Sequence, residues 1–202
     1  MTGVRLAAIA LPGESEPWRR LGFTVDAAGR VPLANGALTL GGDASTLVVE
    51  RDGVLPGDVD GVPVRAGDVV DGVDHANGAF EIDHVVVMSD SLERTSSAIE
   101  EGLGLERRRI RETPTVRQAF HRFADQGGVR GCIVEVVENA RVERPGVWGL
   151  VVNVVDLDEF VSVEGDLVGD PKPAVQPGRR IATVRGAAGL GTALAVMSVV
   201  AG

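Results

Sequence analysis

The sequence is poor in cysteine and in positive charge, and both shortages exclude classes of protein. Its single cysteine, Cys132, rules out an internal disulfide framework and fits a reducing compartment. Lys and Arg total 20 against 29 Asp and Glu, which gives a formal net charge of −9. Binding to a phosphate backbone needs clustered cations, so we expect no nucleic-acid partner. The one basic cluster, at residues 106–111, is interpreted as a solvated strand edge.

Long apolar runs are also missing. The run at residues 6–11 is too short for the apolar core of a secretory signal. Residues 186–202 carry no charge, but they are rich in glycine and fall short of the roughly 20 apolar residues that a spanning helix needs. These features predict a soluble cytoplasmic protein with no membrane partner.

The stretch at residues 81–88 organises the rest of the chain. It is apolar and rich in valine, and a cap-like segment follows it, which predicts a core strand that leads into a helix. Side chains alternate along a strand, so Ile82, His84, Val86 and Met88 are predicted to share one face. His84 is then the only polar member of an apolar row.

Two copies of a strand-then-helix unit are visible in the sequence. Asp90 and Glu93 form a predicted capping box after the first strand, and Asp156 and Glu159 form one after a second apolar strand. The two boxes are separated by the same 66 positions, which indicates an internal repeat. Residues 51–79, rich in Gly, Asp and Pro, predict a loop or a pair of minor strands, with His75 in solvent.

The order of elements resembles the vicinal oxygen chelate superfamily, which includes glyoxalase I, extradiol dioxygenases and bleomycin-resistance proteins. The resemblance rests on residues 82–87 and 133–138, which open and close one module, and on the runs at 148–158 and 174–183, which resemble bacterial glyoxalase-like proteins. It implies an α+β protein whose βαβββ modules pair into a cup that holds a ligand. We therefore expect residues 1–50 to form an additional half-module, 51–79 a linker and 80–202 the paired glyoxalase-like domain.

In metal-using members, the first strand of a module supplies a His and its last strand a Glu. The resemblance places His84 and Glu135 in these roles, and both side chains suit a divalent metal. The repeat offset places Leu150 where the second His would stand, and residues 192–197 offer no carboxylate. A third donor would have to come from His121 or Gln118, which strand alternation places on opposite faces.

The residues themselves leave two interpretations of this pair open. Glu135 lies in an apolar row, so it must be paired or neutral, and a facing His84 would satisfy it without a metal. Arg179 and Arg180 follow a turn, and one of them would clamp a ligand carboxylate if it pointed into the cup. The candidate ligand-binding residues are His84, His121, Glu135 and Arg180, and the candidate metal ligands are His84 and Glu135.

Two functions compete at this stage. In the first, the cup binds a small organic molecule without a complete metal site, in the manner of resistance proteins. In the second, the protein is a metal-dependent lyase, isomerase or dioxygenase that uses His84 and Glu135. The unpaired N-terminal half-module suggests either packing on the cup or a homodimer.

Overall fold

The computed structural model of the chain describes residues 3–199, so the outermost residues of the predicted units 1–50 and 80–202 lie outside it. The described residues form two sheets, one of six strands and one of eight. The N-terminal elements are β1 (Arg5–Ala10), α1 (Ser15–Arg20), β2 (Arg30–Leu33), β3 (Gly36–Thr39), β4 (Thr46–Glu50), β5 (Asp58–Val59) and β6 (Val62–Ala66).

The remaining elements form two βαβββ modules. The first contains β7 (Ala79–Ser89), α2 (Leu92–Leu103), β8 (Arg109–Glu112), β9 (Arg117–Arg122) and β10 (Ile133–Glu138). The second contains β11 (Gly146–Val154), α3 (Leu157–Glu164), β12 (Lys172–Pro173), β13 (Arg180–Thr183) and β14 (Ala193–Ser198). No helix within residues 3–199 is long and apolar enough to cross a membrane.

The eight-stranded sheet joins the two modules through their first strands. Its order is β12-β13-β14-β11-β7-β10-β9-β8, with β7 and β11 antiparallel at the centre. In each module the first strand pairs in parallel with the last, β7 with β10 and β11 with β14. This arrangement is the paired α+β architecture predicted from the sequence.

The N-terminal sheet repeats this pattern with one strand fewer on each side. Its order is β2-β3-β1-β4-β6-β5, with an antiparallel central pair, β1 and β4. Each central strand again has a parallel neighbour, β3 beside β1 and β6 beside β4. Residues 51–79 therefore supply two minor strands to this sheet, and the pairing of β4 with β6 crosses the predicted boundary at residue 50. The division of the chain into domains stays a prediction.

Only one of the two predicted capping boxes is a helix cap. Asp156 caps α3 by accepting hydrogen bonds from the backbone N–H groups of Asp158 and Glu159, both at 2.9 Å. At α2 the cap is Ser91, not Asp90, because Asp90 pairs with Arg94 on the surface. The helix ends at Gly104, whose φ of 70° is left-handed, as its predicted stop signal requires.

The larger of two apolar clusters within residues 3–199 contains side chains from both sheets and from the helices, and polar side chains add contacts between the sheets. The prediction that His75 lies in solvent is wrong, because only 7% of the residue is exposed. Its Nδ1 accepts a hydrogen bond from the backbone N–H of Thr24, and its Nε2 donates one to the carbonyl of Pro32, both at 2.9 Å. Burial lowers the pKa of His75, which keeps the ring neutral for these two contacts.

Candidate functional site

A β-bulge in β7 creates the polar part of the site. Val151 of β11 pairs with His84, but the next residue, Val152, pairs with Ile82, so Asp83 is an extra residue in β7. Asp83 and His84 consequently line the same cavity, while Ile82 turns into the core with 1% exposure. The predicted shared face of Ile82 and His84 is therefore wrong, because regular alternation stops at the bulge.

The cavity lies on the concave side of the eight-stranded sheet and has a volume of about 1080 Å³. Both modules contribute to its lining, from β8, β9 and β10 on one side and from β12, β13 and β14 on the other. Its apolar lining includes Phe120, Ile133, Ile181 and Met197. We call this cavity the cup.

His84 and Glu135 meet inside the cup, as the sequence analysis required. His84 Nε2 lies 3.3 Å from Glu135 Oε2, and both side chains are largely buried. An attractive contact between these atoms needs a proton on one of them. Gln118 donates a hydrogen bond to the other oxygen of Glu135, and Arg111 donates one of 2.7 Å to Gln118. Both oxygens of Glu135 thus have a partner among the side chains of the cup.

The second ring nitrogen of His84 contacts Asp83, the extra residue of the bulge. His84 Nδ1 lies 2.7 Å from Asp83 Oδ1, and Arg179 Nη1 lies 2.8 Å from Asp83 Oδ2. Burial alone would raise the pKa of Asp83, but the hydrogen bonds and positive charges of His84 and Arg179 outweigh it and lower that pKa to about 2. Asn153 donates a hydrogen bond to Asp83 and accepts one from Arg179. Asp83 is therefore an anion held by three neighbours.

The side chains of two predicted ligand-binding residues make their contacts outside the cup. His121 borders the cavity, but its side chain is fully buried, where Nδ1 donates to the carbonyl of Leu105 at 2.7 Å and Nε2 accepts from the hydroxyl of Ser96 at 2.9 Å. Arg180 points to the surface and pairs with Asp158 at 2.6 Å. Of the two consecutive arginines, it is Arg179 that lines the cup. We therefore leave His121 and Arg180 out of the proposed ligand set.

The donor set of the cup does not fit a tightly bound metal. Within residues 3–199, no three side chains of His, Cys, Asp and Glu converge as a metal site. His84 and Glu135 supply two donors, whereas catalytic zinc sites take three protein ligands. The second module adds no donor beside them, since Val151 faces His84 in the strand register and Leu150 is buried. Gln118 is already bound to Glu135 and Arg111.

Comparison with solved structures defines the class of fold. The chain has a glyoxalase-like fold, similar to that of methylmalonyl-CoA epimerases. A variant of the Streptomyces coelicolor epimerase, in complex with 2-nitronate-propionyl-CoA, is similar with a TM-score of 0.50 and 18% identity, over 60% of this chain and 95% of that one. A methylmalonyl-CoA epimerase in complex with methylmalonyl-CoA and NH4+ has the same TM-score and identity, over 59% and 94%.

These likenesses are in fold alone. No family model matches the sequence, and no curated protein matches it either. At this identity, the neighbours' activity is not transferable by similarity, because one scaffold hosts many chemistries.

Proposed function

We propose that the protein binds a small organic molecule in the cup, without a complete metal site. The observation that carries this proposal is the cavity of about 1080 Å³ with Asp83, His84 and Glu135 converging on it. Ligand sites are typically concave and apolar with a few fixed polar groups, and volumes of about 300–1,000 Å³ are usual. The cup has these properties, with a volume slightly above that range.

The polar groups are positioned before any ligand arrives. Glu135 is held by Gln118 and His84, and Asp83 is held by Arg179 and His84, so few side chains need to be ordered on binding. Preorganised polar groups reduce the entropic cost of association. The solved epimerases that share the fold hold CoA thioesters, which supports the use of this scaffold for small organic ligands.

The alternative, a metal-dependent lyase, isomerase or dioxygenase, requires a third donor beside His84 and Glu135. Within residues 3–199 no third His, Cys, Asp or Glu completes a metal-binding group with these two, so a metal would depend on oxygens of the substrate. The resistance-protein character, a homodimer and a cytoplasmic location stay predictions.

Metal content separates the two functions. The protein is purified without added metal, and metal is measured in wild type and in His84→Ala. We expect substoichiometric metal in both. Stoichiometric metal that is lost in His84→Ala would instead support the metal-dependent enzyme.

Ligand binding is tested by the shift in melting temperature across a library of small organic molecules. Glu135→Gln serves as the cup variant and Glu143→Gln, an exposed residue outside the cup, as its control. We expect a class of compounds that stabilises wild type and Glu143→Gln but not Glu135→Gln. Compounds that stabilise all three proteins equally, or none at all, would contradict the proposal.

A further inference from the structure

The charge on the lining of the cup is opposite to that of the whole protein. Acidic residues outnumber basic ones by 29 to 20 along the chain. Around the cup the order is reversed, with seven Arg and Lys residues against only two carboxylates, Asp83 and Glu135. Those two carboxylates already have partners inside the cup.

Four of these seven cations have no carboxylate partner in the described part of the chain, and we call the part of the cup that they line the rim. Among residues 3–199, Arg109, Arg111, Arg130 and Lys172 line the cup and form no ion pair. Each of the other three lining cations has an acidic partner within ion-pair distance. The rim therefore carries a surplus of positive charge that nothing in the described part of the chain neutralises.

Three of these four cations come from the two ends of the sheet. Arg109 and Arg111 lie on β8 and Lys172 on β12, the first and last strands of the eight-stranded order. Both edges line one cavity, so the sheet curves until its edge strands face each other across the opening. Charged side chains on edge strands also discourage aggregation, but that role has no need of a single sign.

An apolar surface lies directly below the cations. The guanidinium of Arg109 sits 5.9 Å from the ring centroid of Phe120, and Ile133, Ile181 and Met197 continue this surface. A ligand that fills the cup meets apolar side chains with its body and cations with its outer groups. Arginine binds carboxylate and phosphate groups through paired hydrogen bonds, and lysine binds them as a point charge.

We infer that the cup selects an organic anion, a molecule with an apolar body and a carboxylate or phosphate group that Arg109, Arg111, Arg130 and Lys172 hold at the rim. This inference rests on the proposed function and names the class of its ligand. Clefts lined by one sign of charge also concentrate ligands of the opposite sign, in a manner that salt weakens.

Three probes with one ring system isolate the charge: 2-naphthoate, 2-naphthyl phosphate and neutral 2-naphthamide. Their dissociation constants are measured by titration calorimetry at low salt. We expect both anions to bind wild type about tenfold more tightly than the amide, which is the usual scale of a hydrogen bond to a charged group. The tighter of the two anions identifies whether carboxylate or phosphate is the preferred group.

Two double variants remove rim charge. The first double variant, Arg111→Gln with Lys172→Gln, removes one cation from each edge of the sheet. The second, Arg130→Gln with Lys172→Gln, leaves the contact of Arg111 with Gln118 intact. The control is Arg65→Gln with Arg141→Gln, which removes two exposed cations outside the cup and changes the net charge equally. We expect about a tenfold loss of anion affinity in the rim variants only, with amide binding unchanged.

Two results would overturn the inference, and they have different consequences. If the amide binds wild type as tightly as the anions, or if the control loses as much anion affinity as the rim variants, the anion inference fails and the proposed function stands. If none of the three probes binds at millimolar concentration, both fail.

Discussion

Arg179 Nη1 lies 2.8 Å from Asp83 Oδ2, so an arginine of the second module pairs with the bulge in the first strand of the other. Only 11% of the Arg179 side chain and 8% of the Asp83 side chain are exposed. Arg179 also donates hydrogen bonds to Asn153 and to the carbonyl of Ser198. The pair therefore connects the two halves of the cup at a place that water barely reaches.

Replacing Arg179 with Met should lower the free energy of unfolding at pH 7 by about 3 kcal/mol, because Asp83 loses its cation while still buried. The adjacent Arg180→Met is a matched control, since Arg180 makes an exposed ion pair with Asp158 that solvent screens. Urea unfolding of both variants measures the difference. Equal stability of the two variants would contradict a structural role for the Arg179–Asp83 pair.

The Arg179–Asp83 pair also predicts how the free energy of unfolding depends on pH. The pKa of Asp83 is lowered to about 2 from its usual value of 3.8, so between these values the unfolded chain binds a proton that the folded chain does not. The stabilisation is present above pH 4 and is lost as the pH falls toward 2. Wild type should lose about 2 kcal/mol more than Asp83→Asn over this range. Urea unfolding at stepped pH tests this expectation, and parallel curves for the two proteins would contradict it.

Sequence patterns predicted the fold and the central contact of the cup. The apolar strands at residues 81–88 and 133–138 and the family resemblance placed His84 opposite Glu135, and the two side chains do meet. The two strands are visible in the sequence because each is a short apolar run, whereas the pairing of His84 with Glu135 follows from the family resemblance. The repeat of strand and helix likewise predicted two paired βαβββ modules, which the eight-stranded sheet contains.

What the sequence could not predict depends on single-residue register and on distant contacts. The bulge at Asp83 leaves no mark in an otherwise regular apolar strand, yet it moves Asp83 into the cup and Ile82 out of it. Which of two consecutive arginines points inward is decided by the same kind of one-residue shift. His75 is buried by Thr24 and Pro32, which are far away in the chain, so its Gly- and Asp-rich surroundings were misleading.

Substitution by Gln should have different effects at His84 and at His121. His121→Gln disrupts the buried contacts with Ser96 and Leu105, so it should lower stability by about 2 kcal/mol and leave probe affinity unchanged. His84→Gln removes a side chain that lines the cup, so it should change probe affinity with a smaller effect on stability. Urea unfolding and titration with 2-naphthoate measure the two effects. A loss of probe affinity in folded His121→Gln would return this residue to the ligand set.

Asn35 joins the N-terminal sheet to the cup-forming sheet. It lies in the turn between β2 and β3 with 2% exposure, and its Nδ2 donates hydrogen bonds of 2.9 Å to the carbonyls of Ile82 and Arg130. Its Oδ1 accepts one of 2.8 Å from the backbone N–H of Ile82. One amide therefore satisfies three backbone groups, one of them next to the bulge.

Asn35→Ala should lower the free energy of unfolding by about 3 kcal/mol, because buried backbone groups of Ile82 and Arg130 lose their partner. Asn139→Ala is the control, since Asn139 is exposed and its side chain accepts a local hydrogen bond from the Arg141 backbone. Urea unfolding gives the stabilities, and hydrogen exchange of the Ile82 amide reports the local contact. We expect that amide to exchange faster in Asn35→Ala alone. Unchanged exchange at Ile82 would show that the two sheets are held together without Asn35.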